Sequence, residues 1–191
     1  AKKITKNSQT KMLWINSRAE ELGKLKQGIG VFKIATFSRA FHWIEQDQVL
    51  KDLDTLIDKD GGVAIFSDRS LWTGQEDWQQ VVKKIVQKYL GEKRRAGKNI
   101  FKESGERWEN IVGRSPFNFV KTQSVAIVRY WNVESILGYL FSTSFAAPHL
   151  FGDQLHKFKK EVEDILLGLD PKGIFQEKAS WSIILGSKKI R

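Results

Sequence analysis

The sequence predicts an α/β fold, and three observations support this class. Residues 31–37 form an apolar run that is too dense for a strand with one solvated face, so the strand should be covered on both sides, as in a parallel sheet. An amphipathic helix follows at about 46–58, and a second apolar strand follows at 63–66. Strand, helix and strand in this order form a βαβ unit with a right-handed crossover.

Length and composition limit the class of protein. The chain has 191 residues, of which 41% are hydrophobic, so it can bury one sizeable core and we expect a single domain over 1–191. It has no Cys and three His, which argues against a disulfide scaffold and predicts no metal site. No apolar run approaches the roughly 20 residues of a membrane span, and the basic start lacks the apolar stretch of a secretory signal. We therefore expect a soluble, cytoplasmic protein that does not bind membranes.

The formal net charge of +10 raises the question of nucleic acid, because clustered Lys and Arg release counterions from phosphates. The densest basic stretch runs over 83–98, and its first part falls on the polar face of a predicted helix. A solvated helix face that continues into a basic loop is the favoured interpretation. No sequence signature of a nucleic-acid-binding fold accompanies it, so nucleic acid is the less favoured partner.

Ahead of the βαβ unit, residues 12–16 form a short apolar run that predicts a buried strand. Ser17 then precedes two glutamates, which is typical of the start of a short helix. Gly28 and Gly30 suggest a phosphate loop. We reject that interpretation because these glycines precede a strand, whereas a nucleotide-binding loop follows one.

The rest of the chain alternates helices and strands. Asp60, Gly61 and Gly62 should end the helix at 46–58, and a clean apolar stripe predicts a helix over 77–90 that opens with a capping box of Asp77 and Gln80. The other predicted elements are a basic loop at 91–104, a short helix at 106–112, one or two strands within 117–131, a helix capped by Asn132, a helix capped by Asp153, a strand at 180–185 and a basic tail at 188–191.

Polar and aromatic residues follow the strand at 31–37, at the edge of the sheet where α/β proteins bind ligands. They are Thr36, Ser38, Arg39, His42 and Trp43. The unperturbed pKa of a histidine is about 6.5, so His42 could accept a substrate proton or donate a hydrogen bond to a substrate carboxylate. The alternative for His42 is a packed, hydrogen-bonded histidine beside Trp43.

Three stretches of the sequence carry a family resemblance: Trp14 to Leu22, Phe32 to Trp43, and Leu56 to Phe66. They resemble the third, fourth and fifth strands of the class I S-adenosylmethionine-dependent methyltransferases, in particular the small-molecule branch of trans-aconitate methyltransferase-like proteins. The most specific phrase is Ala40-Phe41-His42-Trp43, because that branch commonly carries a His-Trp pair after its fourth strand. Lys33 and Asp60 depart from the pattern of the branch, which usually has an acidic residue and a proline there.

The resemblance implies a Rossmann-like class I sheet with helices on both faces and the strand order three, two, one, four, five, seven, six. The family's glycine-rich turn and its first two strands have no counterpart in the sequence. We therefore expect an N-terminally truncated methyltransferase, with its cap or substrate-pocket elements within 91–172. The strand at 12–16 should shift to pair with 31–37, or else both edges of the gap stay open.

The resemblance also implies residue roles. Arg18, Ala19 and Glu20 would frame the adenine of S-adenosylmethionine, where an ordinary helix start is the alternative. Thr36, Phe37, Ser38 and Arg39 would lie beneath its sulfonium and methyl group, and His42 would be catalytic. Trp43, Arg129, Tyr130 and Ser144 would contact the substrate. Core or cap-domain packing, rather than substrate stacking, is the favoured interpretation of Trp72, Trp78, Trp108 and Trp131.

The predicted function is methyl transfer from S-adenosylmethionine to a small molecule, by in-line attack and without a metal. The basic, aromatic pocket suggests a carboxylated or phenolic acceptor. The alternative is a non-catalytic module that keeps the methyltransferase layout and binds RNA or a protein through its basic surface.

Overall fold

The structure is a computed structural model that describes residues 12–68, 70–96, 99–100 and 105–188. Predictions for the first 11 residues and for the end of the basic tail lie outside the described residues. The described α-helices are α1 Leu22–Ile29, α2 Gln46–Leu53, α3 Asp77–Leu90, α4 Trp108–Gly113, α5 Val133–Phe141 and α6 Leu155–Leu169. The described strands are β1 Phe32–Ser38, β2 Ile57–Asp68, β3 Arg95–Ala96, β4 Asn99–Ile100, β5 Phe119–Asn132 and β6 Ile174–Ser187.

The fold is mixed α/β, with a four-stranded sheet in the order β1-β2-β6-β5. A separate two-stranded hairpin pairs β3 with β4 in antiparallel register. The chain divides into two compact units: unit 1 comprises 1–64, 108–120 and 185–191, and unit 2 comprises 65–107 and 121–184. Among the described helices, none is long and apolar enough to cross a membrane.

Unit 1 has a core built from the apolar stripe of α2 and the residues around it. The side chains of Val49, Leu50 and Phe41 are fully buried. Val112 of α4 and Phe117 are also fully buried. The predicted helix at 46–58 begins as expected but ends at Leu53. Leu56 and Ile57, which the prediction placed on its apolar face, are buried just before and at the start of β2 instead.

Unit 2 has a larger core at the contacts of α3, α5 and α6. Its members are Leu71, Trp78, Val82, Ile85, Val86, Ile136, Leu137, Leu140, Phe145, Ala146, Phe151, Phe158, Val162, Leu166 and Phe175. The predicted helix over 77–90 is confirmed, but its capping box is one residue earlier, with Glu76 as the N-cap. The cap of α5 by Asn132 is confirmed, whereas α6 begins after Gln154 rather than after Asp153.

The prediction of a strand at 31–37 covered on both faces is wrong with respect to burial. Strand β1 forms, yet Phe32 is 46% exposed and Ile34 is 55% exposed. The reason is the position of β1 at the end of the sheet order, where it pairs with β2 on one side only among the described strands. An apolar run therefore predicts the strand but not its neighbours.

The predicted strand at 12–16 is also wrong. The structure has no helix or strand over 12–18, and the side chains of Leu13 and Trp14 are exposed. The segment does not shift onto β1, so the open-edge arrangement holds for the described residues. Five residues offer too few ladder hydrogen bonds to fix a strand against the entropy of the chain.

The glycine pair at 61–62 lies inside β2 rather than in a turn, which corrects the sequence prediction. A Cβ on Gly61 would lie only 2.4 Å from the carbonyl oxygen of Lys33, and a Cβ on Gly62 only 2.3 Å from that of Gly186. The two glycines therefore allow the backbones of neighbouring strands to approach closely. Gly30, by contrast, lies between α1 and β1 with a positive φ of 79°, whereas Gly28 lies within α1; both precede a strand, as predicted.

The other boundaries differ from prediction by a few residues. The short helix α1 begins after the 3₁₀ turn Ala19–Glu21, later than Ser17 suggested. The stretch 117–131 forms one strand, β5, and the last strand is longer than 180–185 because β6 already begins at Ile174. The hairpin of β3 and β4 lies within the stretch predicted to be loop.

Candidate functional site

The first candidate site lies in unit 1, where β1 ends. Ser38 is the last residue of β1, and Arg39 follows with a φ of +53°, in the left-handed region. For a residue with a Cβ, this conformation costs about 1–2 kcal/mol, so the surrounding structure must impose it. The sharp turn leads directly into the 3₁₀ turn Phe41–Trp43. It therefore places His42 and Trp43 just beyond the strand end.

An aromatic cluster forms at this turn. We define it as Phe37, Phe41, His42, Trp43 and Trp108. The fully buried ring of Phe41 makes edge contacts with Phe37 at 5.2 Å and with Trp108 at 5.5 Å between centroids. The imidazole of His42 lies 4.7 Å from the ring of Trp43, with a tilt of 44°, and 6.2 Å from that of Trp108, with a tilt of only 2°. His42 is thus flanked by two indoles.

Trp108 takes part in the cluster because α4 is anchored at its other end. Arg114, the residue after α4, donates to Asp47 from Nε at 2.8 Å and from a terminal nitrogen at 2.7 Å. This hydrogen bond lowers the pKa of the Asp47 carboxyl. Val112 packs so closely on Gly186 that a Cβ there would lie 2.5 Å from Val112 Cγ1.

The segment predicted to frame an adenine lies near the start of α2. Arg18 is the N-cap of the 3₁₀ turn Ala19–Glu21. The Oε1 atom of Glu20 accepts a hydrogen bond from the backbone N–H of Glu45 at 3.1 Å. Its own backbone N–H and that of Glu45 lower the pKa of the Glu20 carboxyl, so this carboxylate is held charged beside the first turn of α2. The structure thus brings Glu20 next to Glu45, which follows Trp43 by two positions.

Thr36, Phe37 and Ser38 stand at the end of β1, as expected from the sequence. Phe37 is half-buried, whereas Thr36 and Ser38 are exposed, because the strand alternates between its two faces. Their predicted contact with a sulfonium stays a prediction.

The second candidate site lies in unit 2 and centres on Arg129. A terminal nitrogen of Arg129 donates to Asp68 at 2.7 Å, and its Nε lies 3.6 Å from Glu177. The two carboxylate side chains are almost fully buried, with exposures of 1% for Asp68 and 8% for Glu177. Glu177 also accepts hydrogen bonds from Gln79 at 3.0 Å and from the indole of Trp131 at 2.8 Å. The guanidinium is therefore part of a buried charge network.

A small cavity adjoins this network. It is lined by Leu71, Trp78, Gln79, Arg129, Trp131, Ile136, Tyr139 and Glu177. The space open to the centre of a water molecule is about 10 Å³, which is enough for about one water. In this conformation the cavity is too small for an organic substrate.

The other two predicted substrate residues of unit 2 do not line this cavity. Tyr130 is 71% exposed, because alternation along β5 turns it to the opposite face from Arg129. Ser144 lies exposed in the loop after α5. Their roles, like that of Trp43, remain predictions.

Comparisons with known proteins support the fold. The chain is similar to a solved structure from Anaeromyxobacter dehalogenans described as "a putative type II methyltransferase", with a TM-score of 0.53 and 15% sequence identity. The match covers 92% of this chain and 71% of that chain. No protein-family model matches the sequence, and a comparison with curated proteins gives no significant match. The likeness supports a methyltransferase fold for the chain.

Proposed function

We propose that the chain is the carboxy-terminal part of a class I S-adenosylmethionine-dependent methyltransferase that acts on a small molecule in the cytoplasm. The observation that carries this proposal is the strand order β1-β2-β6-β5. If β1 corresponds to the family's fourth strand, the order reads four, five, seven, six, as the resemblance requires. The similar methyltransferase structure supports the same assignment.

The residues of unit 1 fit one edge of such a donor. Phe37 offers a half-buried aromatic face, and a sulfonium is a cation that aromatic faces and backbone oxygens attract. Thr36, Ser38 and Arg39 would complete the methyl side, and Arg18, Ala19 and Glu20 would border the adenine. When bound, the donor supplies an activated methyl group.

The chain's own residues would position the acceptor and receive its proton. His42 lies beyond the strand end, and its side chain is partly buried between two indoles, which limits water around it. Near neutral pH a neutral imidazole can accept a proton at its unprotonated nitrogen. Orientation of the acceptor for in-line attack would be the larger contribution. Trp43, 50% exposed, would present an apolar wall to the acceptor.

We further propose that the pocket is completed by strands that pair with the open side of β1. β1 is the end strand of the described sheet, its residues Phe32 and Ile34 are exposed, and the structural match leaves part of the similar methyltransferase uncovered. In the family, the absent strands hold the methionine carboxylate and the ribose. The chain alone should therefore bind the donor weakly.

Two measurements test these proposals separately. Calorimetry of S-adenosylhomocysteine with this chain should show no binding at micromolar concentrations, and micromolar affinity would sink the fragment proposal while supporting methyl transfer. In the complete protein, His42→Ala should lower turnover and leave donor affinity within a few-fold, whereas the exposed control His149→Ala should change neither. Unchanged turnover in His42→Ala would remove His42 from the mechanism.

A further inference from the structure

We infer that Trp108 is a positioning residue that fixes the plane of the His42 imidazole. The inference rests on the proposed function only in that His42 is the group whose orientation would matter. Trp108 lies far from His42 in the sequence, and its spacing suggests nothing more than a packing residue.

The geometry of the two rings supports this role. Their planes differ by 2° at a centroid separation of 6.2 Å, whereas the plane of Trp43 is tilted by 44° from the imidazole. The torsion that rotates a histidine ring about its Cβ–Cγ bond is broad, so the ring plane is not fixed by the side chain itself. A parallel neighbour limits that rotation, because turning the imidazole would drive its edge toward the indole face. The ring plane in turn decides where the two nitrogens point.

Trp108 is held independently of the turn that carries His42. It is the first residue of α4, which is tied to α2 by Arg114 and Asp47 and is packed by the fully buried Val112. Trp43 has no anchor of this kind, since it belongs to the same 3₁₀ turn as His42 and is half exposed. The Trp108 indole also touches Phe41 of that turn, so α4 supplies the part of its anchoring that lies outside the turn.

The inference can be tested on this chain without a donor or an acceptor. The sequence has three histidines, so a proton–carbon spectrum of the imidazoles is simple, and His42→Gln identifies the signals of His42. The exposed His149 and His156 serve as internal references in the same sample. The ring current of Trp108 should displace the His42 ring signals from those of the two references.

Three variants decide the outcome. Trp108→Leu should move the His42 signals toward those of His149 and His156, while Trp108→Phe should retain a displacement in the same direction. Trp72→Leu is the matched control, because Trp72 packs on Phe145 in unit 2 and should leave His42 unchanged. If His42 signals stay in place in a folded Trp108→Leu, the inference is overturned. If that variant does not fold, Trp108→Phe decides, and loss of the displacement there overturns it.

A kinetic measurement then separates this inference from the proposed function. In the complete protein, Trp108→Leu should lower kcat several-fold with KM nearly unchanged, and Trp108→Phe should recover most of the loss. Should His42→Ala keep full turnover while the NMR displacement by Trp108 persists, the catalytic proposal fails and the positioning contact stands. An equal loss in Trp108→Leu and Trp108→Phe would contradict a positioning role.

Discussion

Arg114 holds Asp47 through two hydrogen bonds, at 2.8 Å and 2.7 Å, and so ties α4 to α2. Both side chains are largely exposed, so we expect a coupling free energy below about 1 kcal/mol at pH 7. Because Arg114 lowers the pKa of folded Asp47, this coupling is present above the unfolded pKa of ~3.9 and is lost as the pH falls through the folded pKa. A double-mutant cycle of Asp47→Asn and Arg114→Gln, followed by urea unfolding at neutral and strongly acidic pH, measures it. Equal coupling at both pH values would show that the coupling does not depend on the charge of the Asp47 carboxylate, which would contradict this prediction.

Tyr89 should ionise late in an alkaline titration. Its hydroxyl donates to Glu161 at 2.8 Å, and this hydrogen bond raises the pKa of Tyr89. A raised folded pKa stabilises the protein below the unfolded pKa of ~10, and the contribution disappears as the pH rises through the folded value. Absorbance of tyrosinate against pH should show one late tyrosine that becomes earlier in Glu161→Gln. The control Glu163→Gln, on the same helix, should leave the curve as it is.

Gly62→Ala should destabilise the chain strongly, because the new Cβ would lie 2.3 Å from the carbonyl oxygen of Gly186 and would force two strands apart. We expect a loss of at least about 1–3 kcal/mol, the usual cost of overpacking. Gly168→Ala in α6 is the matched control, since no atom lies within 4 Å of its Cβ position and alanine favours the helix by about 0.5–1 kcal/mol. Thermal unfolding of the two variants should therefore shift in opposite directions. A neutral Gly62→Ala would show that the strands do not approach as described.

Arg129→Met should destabilise the chain by about 3–5 kcal/mol, the cost of removing one partner from a buried charge network. The substitution removes the Arg129 cation from the buried carboxylates of Asp68 and Glu177. Lys178→Met is the control, because Lys178 is exposed on the same strand as Glu177. Urea unfolding of both variants gives the comparison. A small effect of Arg129→Met would instead favour a guanidinium available to a substrate.

Local patterns predicted the helices well. The apolar stripe of α3 and the Asn132 cap of α5 depend on residues within one or two turns, so the sequence contains all that is needed. The burial of β1 was predicted wrongly, because it depends on which strands lie beside it. The glycine pair at 61–62 was placed in a turn since a turn and a close strand approach both favour glycine.

In the candidate site, too, local features could be predicted from the sequence and contacts between distant segments could not. His42 and Trp43 could be placed beyond a strand end from their position in the chain, and the structure has them there. The contact with Trp108 could not be predicted, because one sequence contains no signal for a contact between distant segments. The family resemblance predicted that Arg129 contacts a substrate, whereas in the structure it pairs with Asp68 and Glu177 from other strands. A charge pattern does not reveal whether the charge is already neutralised.

The exposed side of β1 has a consequence for the colloidal behaviour of the chain in solution. Among the described strands β1 has no partner on its outer edge, and such an edge, flanked by the exposed side chains of Phe32 and Ile34, is a template onto which a second copy can pair. The formal charge of +10 opposes this by keeping copies apart, and Lys33 places a charge within the strand itself. Salt shortens the range of that repulsion to about 10 Å at 0.1 M. The isolated chain should accordingly stay dispersed at low ionic strength and associate as salt is added, the reverse of a protein whose copies are held together by ion pairs.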